Sequence, residues 1–479
     1  MSNTLAEDDN DKRAGDGKAR IVTTLSSWML IGLLAWSPFP LGSNRPWSWD
    51  LLIISVCLIW VFSVPTTARG TEHFLKLLRR LALPTLLYGA VLLWGLIQTI
   101  GFVPASWTHP IWQIASTSLA HPVTATISIN PWETRSSLLK LAAYALFAVL
   151  TAHAAEDSNR AARILTALIT ITFCYAAYAL ILSALNLHQD ELFYSIPSAA
   201  SKLSAPFVNR NSFATYMGLG AICSAAQLVR LGYRSVHASL GKKQFVLSLT
   251  QYLFGPGTLP FIAAIGSFTA LIASGSRAGF LSTLLAMVAL LALSARMAAH
   301  RMTIRAILVT GLVLIFGAVA LFISSGTNLE EHLNTLFDSG GPDDLRIVLS
   351  QAALRMIADA PWLGLGLGTF QDAYPLYAER FFPFVMDKAH NDYLELAAGL
   401  GLPAAIALLA AISLLALRCY RGVFERRRNQ IYPMLGLAAS ILVAVHSAFD
   451  FSLQIPAVAL TYAAILGLGV GQSFSSRQS

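Results

Sequence analysis

Residues 402–428 read LPAAIALLAAISLLALRCYRGVFERRR, and this stretch decides the class of fold. It carries no charged side chain until a closing set of arginines, Arg418, Arg421, Arg426, Arg427 and Arg428. The apolar part belongs to a run over 391–417, which as a helix is long enough to cross about 30 Å of hydrocarbon. Arginines that follow such a run anchor its end on the cytoplasmic side of a membrane. The stretch therefore predicts a transmembrane helix that ends in the cytoplasm.

Apolar runs of this kind recur along the whole chain. We place them at 21–41, 49–65, 81–101, 137–153, 164–186, 211–229, 257–274, 279–295, 306–325, 391–417, 431–449 and 456–474. Of the 479 residues 55% are hydrophobic and 12% are charged, whereas about 25% of a soluble domain is charged. This composition excludes a soluble protein. The predicted fold is all-α, a polytopic integral membrane protein with about 12 transmembrane helices.

Lysine and arginine set the predicted orientation. With the N-terminus in the cytoplasm, most of them fall in cytoplasmic connections, as positive-inside topology requires. Topology therefore explains the net charge of +8, and no nucleic-acid partner is predicted. We expect residues 1–20 to be a disordered cytoplasmic tail, 21–474 the polytopic membrane domain and 475–479 a second cytoplasmic tail. Both termini are then cytoplasmic.

The longest connection is predicted on the opposite, outer side and covers residues 326–390. Within it, apolar residues recur at helical spacing between Leu345 and Ile357, and the sequence Asp359-Ala-Pro361 supplies a stop. This pattern predicts an amphipathic helix at the membrane interface. Because one outer loop is so much longer than the others, we expect function on the outer face.

Three arginines stand next to the outer ends of predicted helices. Arg210 lies between Asn209 and Asn211, either of which could cap the following helix, while Arg277 lies in a Gly/Ser turn. Arg346 opens the amphipathic helix. Arg135, which follows Asn130-Pro-Trp-Glu133 just before the fourth predicted helix, is a fourth candidate. An arginine at such a depth is costly without an anion or a partner, and each one alone could equally be a snorkelling or salt-bridged residue. Their convergence on one face would favour binding of a phosphate or diphosphate.

A second group of polar residues lies in the sequence DKAHNDYLE, residues 387–395, which leads from the long loop into the tenth predicted helix. A neutral imidazole can accept a proton from a hydroxyl, so His390 is the candidate general base, oriented by Asp387 or Asp392. The alternative is a helix cap, since Asn391 at a helix start needs no catalytic explanation. Asp450, at the end of the eleventh helix, is expected to be a structural partner of one of the arginines.

Other chemistry is weakly represented. No HExxH, Asp-x-Asp or Cys/His cluster occurs at ligand spacing on the outer face, and the pair Asp343-Asp344 is only a weak metal candidate. No Walker loop is present, so no cofactor and no direct use of ATP are predicted. None of the four cysteines forms a CxxC pair, and packing is their expected role. The sequence therefore predicts chemistry without a metal.

Several of these motifs, taken in order, resemble the O-antigen ligase and polymerase superfamily. They are NRNSFA at 209–214, SRAG at 276–279, Arg346 followed by DAPWLGLGLGTF at 359–370, HNDYLEL at 390–396 and DFSLQIP at 450–456. The ordered set is more specific than any one motif. The resemblance covers about 205–456, and the first 200 residues are similar mainly in hydropathy.

The resemblance implies an inverting, metal-independent membrane glycosyltransferase of the GT-C type in the bacterial cytoplasmic (inner) membrane. The donor would be an undecaprenyl-diphosphate-linked glycan at the periplasmic face. The acceptor would be a hydroxyl of a glycan, of lipid A core or of a protein, with membrane lipids around the site. Arg210, Arg277 and Arg346 match family arginines expected to hold the diphosphate, and His390 matches the family histidine. The acceptor, and hence the choice between polymerase, ligase and protein glycosyltransferase in lipopolysaccharide or exopolysaccharide synthesis, stays open.

Two other classes compete with this interpretation. Twelve spans would also fit a polysaccharide or lipid-linked sugar transporter or flippase. The charges, however, gather at helix ends rather than at mid-bilayer, and no two-half repeat is visible. A scaffolding subunit of a glycan-assembly complex would leave the outer arginines without an anion to bind.

Overall fold

The structure is a computed structural model, and it describes residues 24–64, 68–187, 203–235, 242–297, 342–379 and 385–474, together with residues 22, 189 and 382. The described part of the chain is helical and contains no strand. The predicted run 306–325, the predicted tails 1–20 and 475–479, and the first part of the long loop lie outside the described residues.

Seventeen α-helices follow one another along the described chain. They are α1 (Thr24–Trp36), α2 (Pro46–Ser63), α3 (Ala68–Arg80), α4 (Ala82–Ile97), α5 (Ile111–Ser118), α6 (Pro131–Ala154), α7 (Ser158–Ala184), α8 (Arg210–Ser235), α9 (Lys242–Leu253), α10 (Thr258–Ala273), α11 (Arg277–Met297), α12 (Pro342–Asp359), α13 (Phe370–Tyr377), α14 (Asp392–Leu400), α15 (Leu402–Glu425), α16 (Ile431–His446) and α17 (Pro456–Gly471).

The helices account for the predicted spans. Six of them, α2, α6, α7, α8, α11 and α15, are long and apolar enough to cross a membrane; α3 and α4 form a pair bent by 89°, and α1, α10, α16 and α17 are shorter apolar helices. These elements coincide with every predicted apolar run except 306–325. The all-α polytopic membrane fold is confirmed, while the number of 12 spans stays a prediction.

Helix α17 lies at the centre of the bundle. Every residue from Pro456 to Gly471 is buried, as expected of a helix that is apolar on all sides. Glycines let it approach α6 closely, because a Cβ on Gly467 would lie 2.3 Å from the Ala148 carbonyl oxygen and one on Gly471 2.2 Å from that of Ala152. Small residues at a helix contact are a common device in membrane bundles. Helices α6, α8, α15 and α16 surround α17.

The predicted run 391–417 is divided into two helices at Gly401. The Gly401 backbone has φ 78° and ψ 157°, a conformation that is essentially restricted to glycine. Two side chains at the end of α4 donate to the carbonyl groups freed at this break. Gln98 Nε2 donates to Gly399 O at 2.9 Å and Trp94 Nε1 to Leu400 O at 2.8 Å. The expectation of one continuous tenth helix was therefore wrong, and α14 is a short helix that precedes the spanning helix α15.

A small second core covers one end of the bundle. Helices α12, α13 and α14 pack around Leu349, Met356, Phe370 and Ala398. The predicted amphipathic helix after Leu345 is thus present as α12. This end also holds the starts of α8 and α11 and the end of α16, and we call it the His390 end.

The other end of the bundle carries the arginine tract. Arg418 donates to the Ser473 carbonyl oxygen, Arg426 Nη1 donates to Phe474 O at 2.9 Å, and Arg80 lies 5.2 Å from the ring centroid of Phe474. We call it the Arg418 end. Arginines thus gather around the end of α17 at this end, which the sequence predicts to be cytoplasmic.

Candidate functional site

His390 lies immediately before α14 and contacts the chain segment that follows α16. Its φ of 53° is in the left-handed region, which is uncommon for a residue other than glycine. In this conformation His390 Nδ1 lies 3.2 Å from Asp450 Oδ1, and the ring packs edge-on against Phe451 with 4.9 Å between centroids. The His390 side chain is 27% exposed, whereas Asp450 is fully buried. Nε2 of His390 hydrogen-bonds to none of the described residues.

The protein keeps Asp450 as a carboxylate, which can accept a hydrogen bond from His390. Burial raises the pKa of its carboxyl group, but the hydrogen bond and charge of His390, the charge of His446 and the Phe451 N–H lower it, and the net pKa lies below the ordinary value. Phe451 N donates to Asp450 Oδ1 at 2.8 Å. A carboxylate here favours the His390 tautomer with its proton on Nδ1, which leaves Nε2 free to accept a proton.

This pairing corrects two expectations. Asp450 was expected to partner an arginine, and the structure pairs it with His390 instead. Asp387 and Asp392 were expected to orient His390, and neither forms a hydrogen bond with it in the described part of the chain. The signal that marks Asp450 in the sequence is a carboxylate at membrane depth, but sequence spacing cannot reveal a contact between residues 60 positions apart.

Asp392 fixes the segment after α16 from the other side. Its Oδ2 accepts from Ser447 Oγ at 2.9 Å, its Oδ1 accepts from Gln454 Nε2 at 3.1 Å, and its own N–H donates to Ser447 O at 2.9 Å. Burial raises the pKa of Asp392 to about 7, although these hydrogen bonds oppose the shift. Asp392 therefore positions the loop that carries Asp450.

Asn391 is the N-cap of α14, as the capping alternative predicted. Its Oδ1 accepts from Tyr393 N at 3.0 Å and Leu394 N at 3.1 Å. Its Nδ2 donates to Ala448 O at 3.1 Å. A helix cap and a histidine contact thus occur in the same tripeptide, and the two interpretations of this motif are compatible.

Arg210 and Arg277 begin two helices that touch each other. Asn209 caps α8, because its Oδ1 accepts from Asn211 N at 2.7 Å, and Asn211 itself is buried. Arg210 is the first residue of α8 and Arg277 the first of α11, and both are exposed. Neither forms a hydrogen bond or ion pair with a residue that the structure describes. Free backbone N–H groups at a helix start add to the positive potential around each guanidinium.

The contact between these two helices lies one turn in from the arginines. A Cβ on Gly279 of α11 would lie 2.6 Å from the Ala214 Cβ of α8. The starts of the two helices therefore lie side by side. Two arginines separated by more than 60 residues in sequence are thereby held at one end of the bundle.

Hydrogen bonds join the start of α8 to the segment that carries Asp450. Thr215 Oγ1 lies 3.0 Å from Ser452 Oγ, and Ser452 Oγ lies 3.2 Å from Nδ1 of the buried His446. Arg346 is half-buried on α12 and lies close enough to His446 for an electrostatic interaction. Sequence reasoning had grouped His446 with Asp450 but missed Thr215 and Ser452, whose hydroxyls carry no recognisable signal.

Arg135 has a structural role. It lies inside α6 rather than before it, and it donates from Nε to Thr99 Oγ1 at 3.3 Å and from Nη2 to Thr99 O at 3.2 Å. These bonds tie α6 to the end of α4. Of these four arginines, Arg135 alone donates hydrogen bonds to other residues in the part of the chain that the structure describes.

A family model described as O-antigen ligase matches residues 262–409. This part of the chain is similar to the O-antigen ligase family. The matched range includes Arg277, Arg346, His390 and the cap of α14, and it confirms the resemblance seen in the sequence motifs. Arg210 and Asp450 lie outside the match, but α8, which begins with Arg210, contacts α11, and Asp450 contacts His390, both within the matched range. No curated protein matches the chain.

Proposed function

We propose that this protein is an inverting, metal-independent membrane glycosyltransferase of the O-antigen ligase and polymerase type. It transfers a glycan from an undecaprenyl-diphosphate-linked donor to an acceptor hydroxyl at the periplasmic face of the inner membrane. The observation that carries the proposal is the hydrogen bond between Nδ1 of His390 and the buried Asp450 carboxylate, on the same end of the bundle as the unpaired Arg210 and Arg277.

The His390–Asp450 pair supports general-base catalysis. Nε2 of His390 accepts the proton of the acceptor hydroxyl as its oxygen attacks the anomeric carbon of the donor. The Asp450 carboxylate holds the ring and stabilises the imidazolium that forms. A single displacement assisted in this way inverts the anomeric centre, because the nucleophile enters opposite the leaving group.

The arginines support stabilisation of the leaving group. As the bond between the anomeric carbon and the diphosphate oxygen breaks, negative charge develops on undecaprenyl diphosphate. Arg210, Arg277 and Arg346 bind that charge, since a guanidinium stays protonated and donates to two phosphate oxygens at once. Fixed cations of this kind take the part that a divalent metal takes in other diphosphate chemistry.

Reconstitution tests this function directly. Purified protein in liposomes receives an undecaprenyl-diphosphate-linked oligosaccharide and candidate acceptors in the presence of a chelator, and release of undecaprenyl diphosphate is followed with glycan length. Release with lengthening glycan identifies a polymerase, and release only with lipid A core or peptide identifies a ligase or a protein glycosyltransferase. Transport of the donor without release would instead support the transporter.

Two substitutions test the site within the same assay. His390→Ala and Arg210→Ala are expected to abolish transfer while membrane insertion is retained, because both side chains lie at a helix start and outside the core. Normal glycan production by stably expressed His390→Ala protein would refute the general-base role.

A further inference from the structure

A large cavity lies beside α14 and the segment 451–454. Its volume is about 710 Å³, and neither His390 nor any of Arg210, Arg277 and Arg346 lines it. Asp392 and Gln454 form part of its wall. Because Asp392 is two residues from His390, the backbones at these positions are within about 7 Å of each other. The cavity is therefore adjacent to the proposed general base but separate from the arginines.

The body of the cavity is apolar and long. One face of the spanning helix α6 lines it, through Glu133, Ser137, Lys140, Leu141, Tyr144, Ala145, Ala148 and Val149. From Leu141 to Val149 the apolar part of this face extends about 12 Å along the helix, and Glu133, Ser137 and Lys140 continue the same face toward the polar mouth. Leu92 of α4, Leu408 of α15 and Leu466 of α17 complete the apolar wall. A hydrocarbon chain fits a cavity of this length and lining.

The mouth of the cavity is polar, and its acidic groups outnumber its basic groups. The acids are Glu133, Asp372, Asp387, Asp392 and Glu395, and the bases are Arg45, Lys140 and Lys388. Lys140 Nζ lies 3.7 Å from Glu133 Oε1 and 4.3 Å from the ring centroid of Trp49. Lys388 Nζ lies 3.6 Å from Glu395 Oε1. Each lysine is thus already neutralised by a glutamate of the same mouth.

This charge balance selects against a phosphate and for hydroxyl groups. An anionic head group would meet an excess of carboxylates, whereas sugar hydroxyls can donate to carboxylates and accept from ammonium groups. The amides of Asn44 and Gln371 at the mouth offer both functions as well. The mouth therefore complements a polyhydroxylated, uncharged head group.

We propose that this cavity binds the acceptor as a glycolipid, with a neutral sugar head group at the Glu133, Lys140 and Glu395 mouth and its hydrocarbon chain along α4 and α6. That the bound glycolipid is the acceptor rests on the proposed function, whereas binding of the glycolipid does not. It places the donor at the arginines and the acceptor in the cavity beside α14, with His390 immediately before the start of that helix. The binding site itself is testable without transfer activity.

The first experiment measures binding alone. Purified protein in phosphatidylcholine nanodiscs is irradiated with dodecyl maltoside that carries a diazirine on its chain, and the labelled peptides are mapped. Labelling is expected in α4 and α6, and unlabelled dodecyl maltoside is expected to compete better than dodecyl phosphate. Labelling elsewhere, or stronger competition by the phosphate, would overturn the proposal.

Gly89 offers a way to fill the cavity. It lines the cavity, and a Cβ built on it meets no atom within 4 Å, so Gly89→Leu inserts a side chain without displacing the backbone. We expect Gly89→Leu to lower photolabelling about tenfold, the effect of losing about 1.4 kcal/mol of contact. Gly32→Leu is the matched control, because Gly32 is also an exposed helical glycine with nothing within 4 Å and lies outside the cavity. Ala145→Leu narrows the cavity from the α6 side and is expected to act like Gly89→Leu.

The second experiment connects the cavity to transfer. Gly89→Leu is expected to raise KM for a glycolipid acceptor and to leave KM for the undecaprenyl-diphosphate donor unchanged. Equal labelling of wild type and Gly89→Leu would refute the cavity as the binding site, whatever the activity. If the wild type binds the probe in the cavity but transfers nothing to any acceptor, the proposed function fails and the glycolipid site stands.

Discussion

At the scale of single residues, the proposed site depends on the hydrogen bond between the partly exposed His390 ring and the fully buried Asp450 carboxylate. Asp450→Asn keeps the size of the side chain but removes the charge that stabilises the His390 imidazolium. We expect the rate of undecaprenyl diphosphate release to fall at least about 10²-fold, the usual range for loss of general-base assistance. Donor binding is expected to stay intact, since Asp450 contacts no arginine in the described part of the chain.

The same substitution elsewhere provides the control. Asp157 caps α7 at the Arg418 end, where its Oδ1 accepts from Asn159 N and Arg160 N, and asparagine is an equally good cap. Asp157→Asn should therefore transfer at the wild-type rate. An Asp450→Asn variant as active as Asp157→Asn would contradict the role proposed for the hydrogen bond between His390 and Asp450.

Asp392 makes stability depend on pH. Its folded-state pKa of about 7 lies above the ordinary value of 3.8, so the folded protein holds a proton that the unfolded chain releases at lower pH. The stability that Asp392 contributes is complete below about pH 4 and is lost as pH rises through 7. The melting temperature of the detergent-solubilised protein should fall between pH 5.5 and 8.5 by a larger amount in the wild type than in Asp392→Asn. Parallel pH profiles for the two proteins would exclude this assignment.

At the scale of elements, hydropathy predicts where apolar helices lie but not where they break. The run 391–417 is continuous in composition, and only the backbone of Gly401 reveals that α14 and α15 are separate helices. Hydropathy also fails to predict the bend between α3 and α4, because an average of hydropathy over a stretch of sequence carries no information on the direction of the helix axis. The arginines and His390 were identified because isolated polar groups at the ends of apolar runs are conspicuous. The pairing of His390 with Asp450 and the hydrogen bonds of Ser452 to Thr215 and His446 depend on tertiary contacts.

The break at Gly401 can be tested by adding one methyl group. A Cβ on Gly401 would lie 2.4 Å from the Trp362 carbonyl oxygen, and its φ of 78° is strained for alanine. We expect Gly401→Ala to destabilise the protein by about 1–3 kcal/mol and to reduce transfer, because α14 carries the His390 segment. Gly32→Ala should be neutral or stabilising by about 0.5–1 kcal/mol, since nothing opposes a Cβ inside that helix. Thermal unfolding measures the stability of the two variants. Equal melting temperatures would contradict the conclusion that the fold requires a break between α14 and α15 at Gly401.

At the scale of the whole molecule, the two ends of the bundle predict its orientation. The Arg418 end gathers basic residues around Phe474, and the His390 end carries the candidate site, so we predict that the Arg418 end lies in the cytoplasm. Phe102 at the His390 end is 99% exposed, and Asn159 at the Arg418 end is exposed as well. In a chain with Cys57 and Cys174 replaced by alanine, a membrane-impermeant maleimide should label Phe102→Cys in intact spheroplasts. Asn159→Cys should react only after the membrane is permeabilised. The reverse pattern would place the site in the cytoplasm, where a glycan already exported on its lipid carrier could not reach His390.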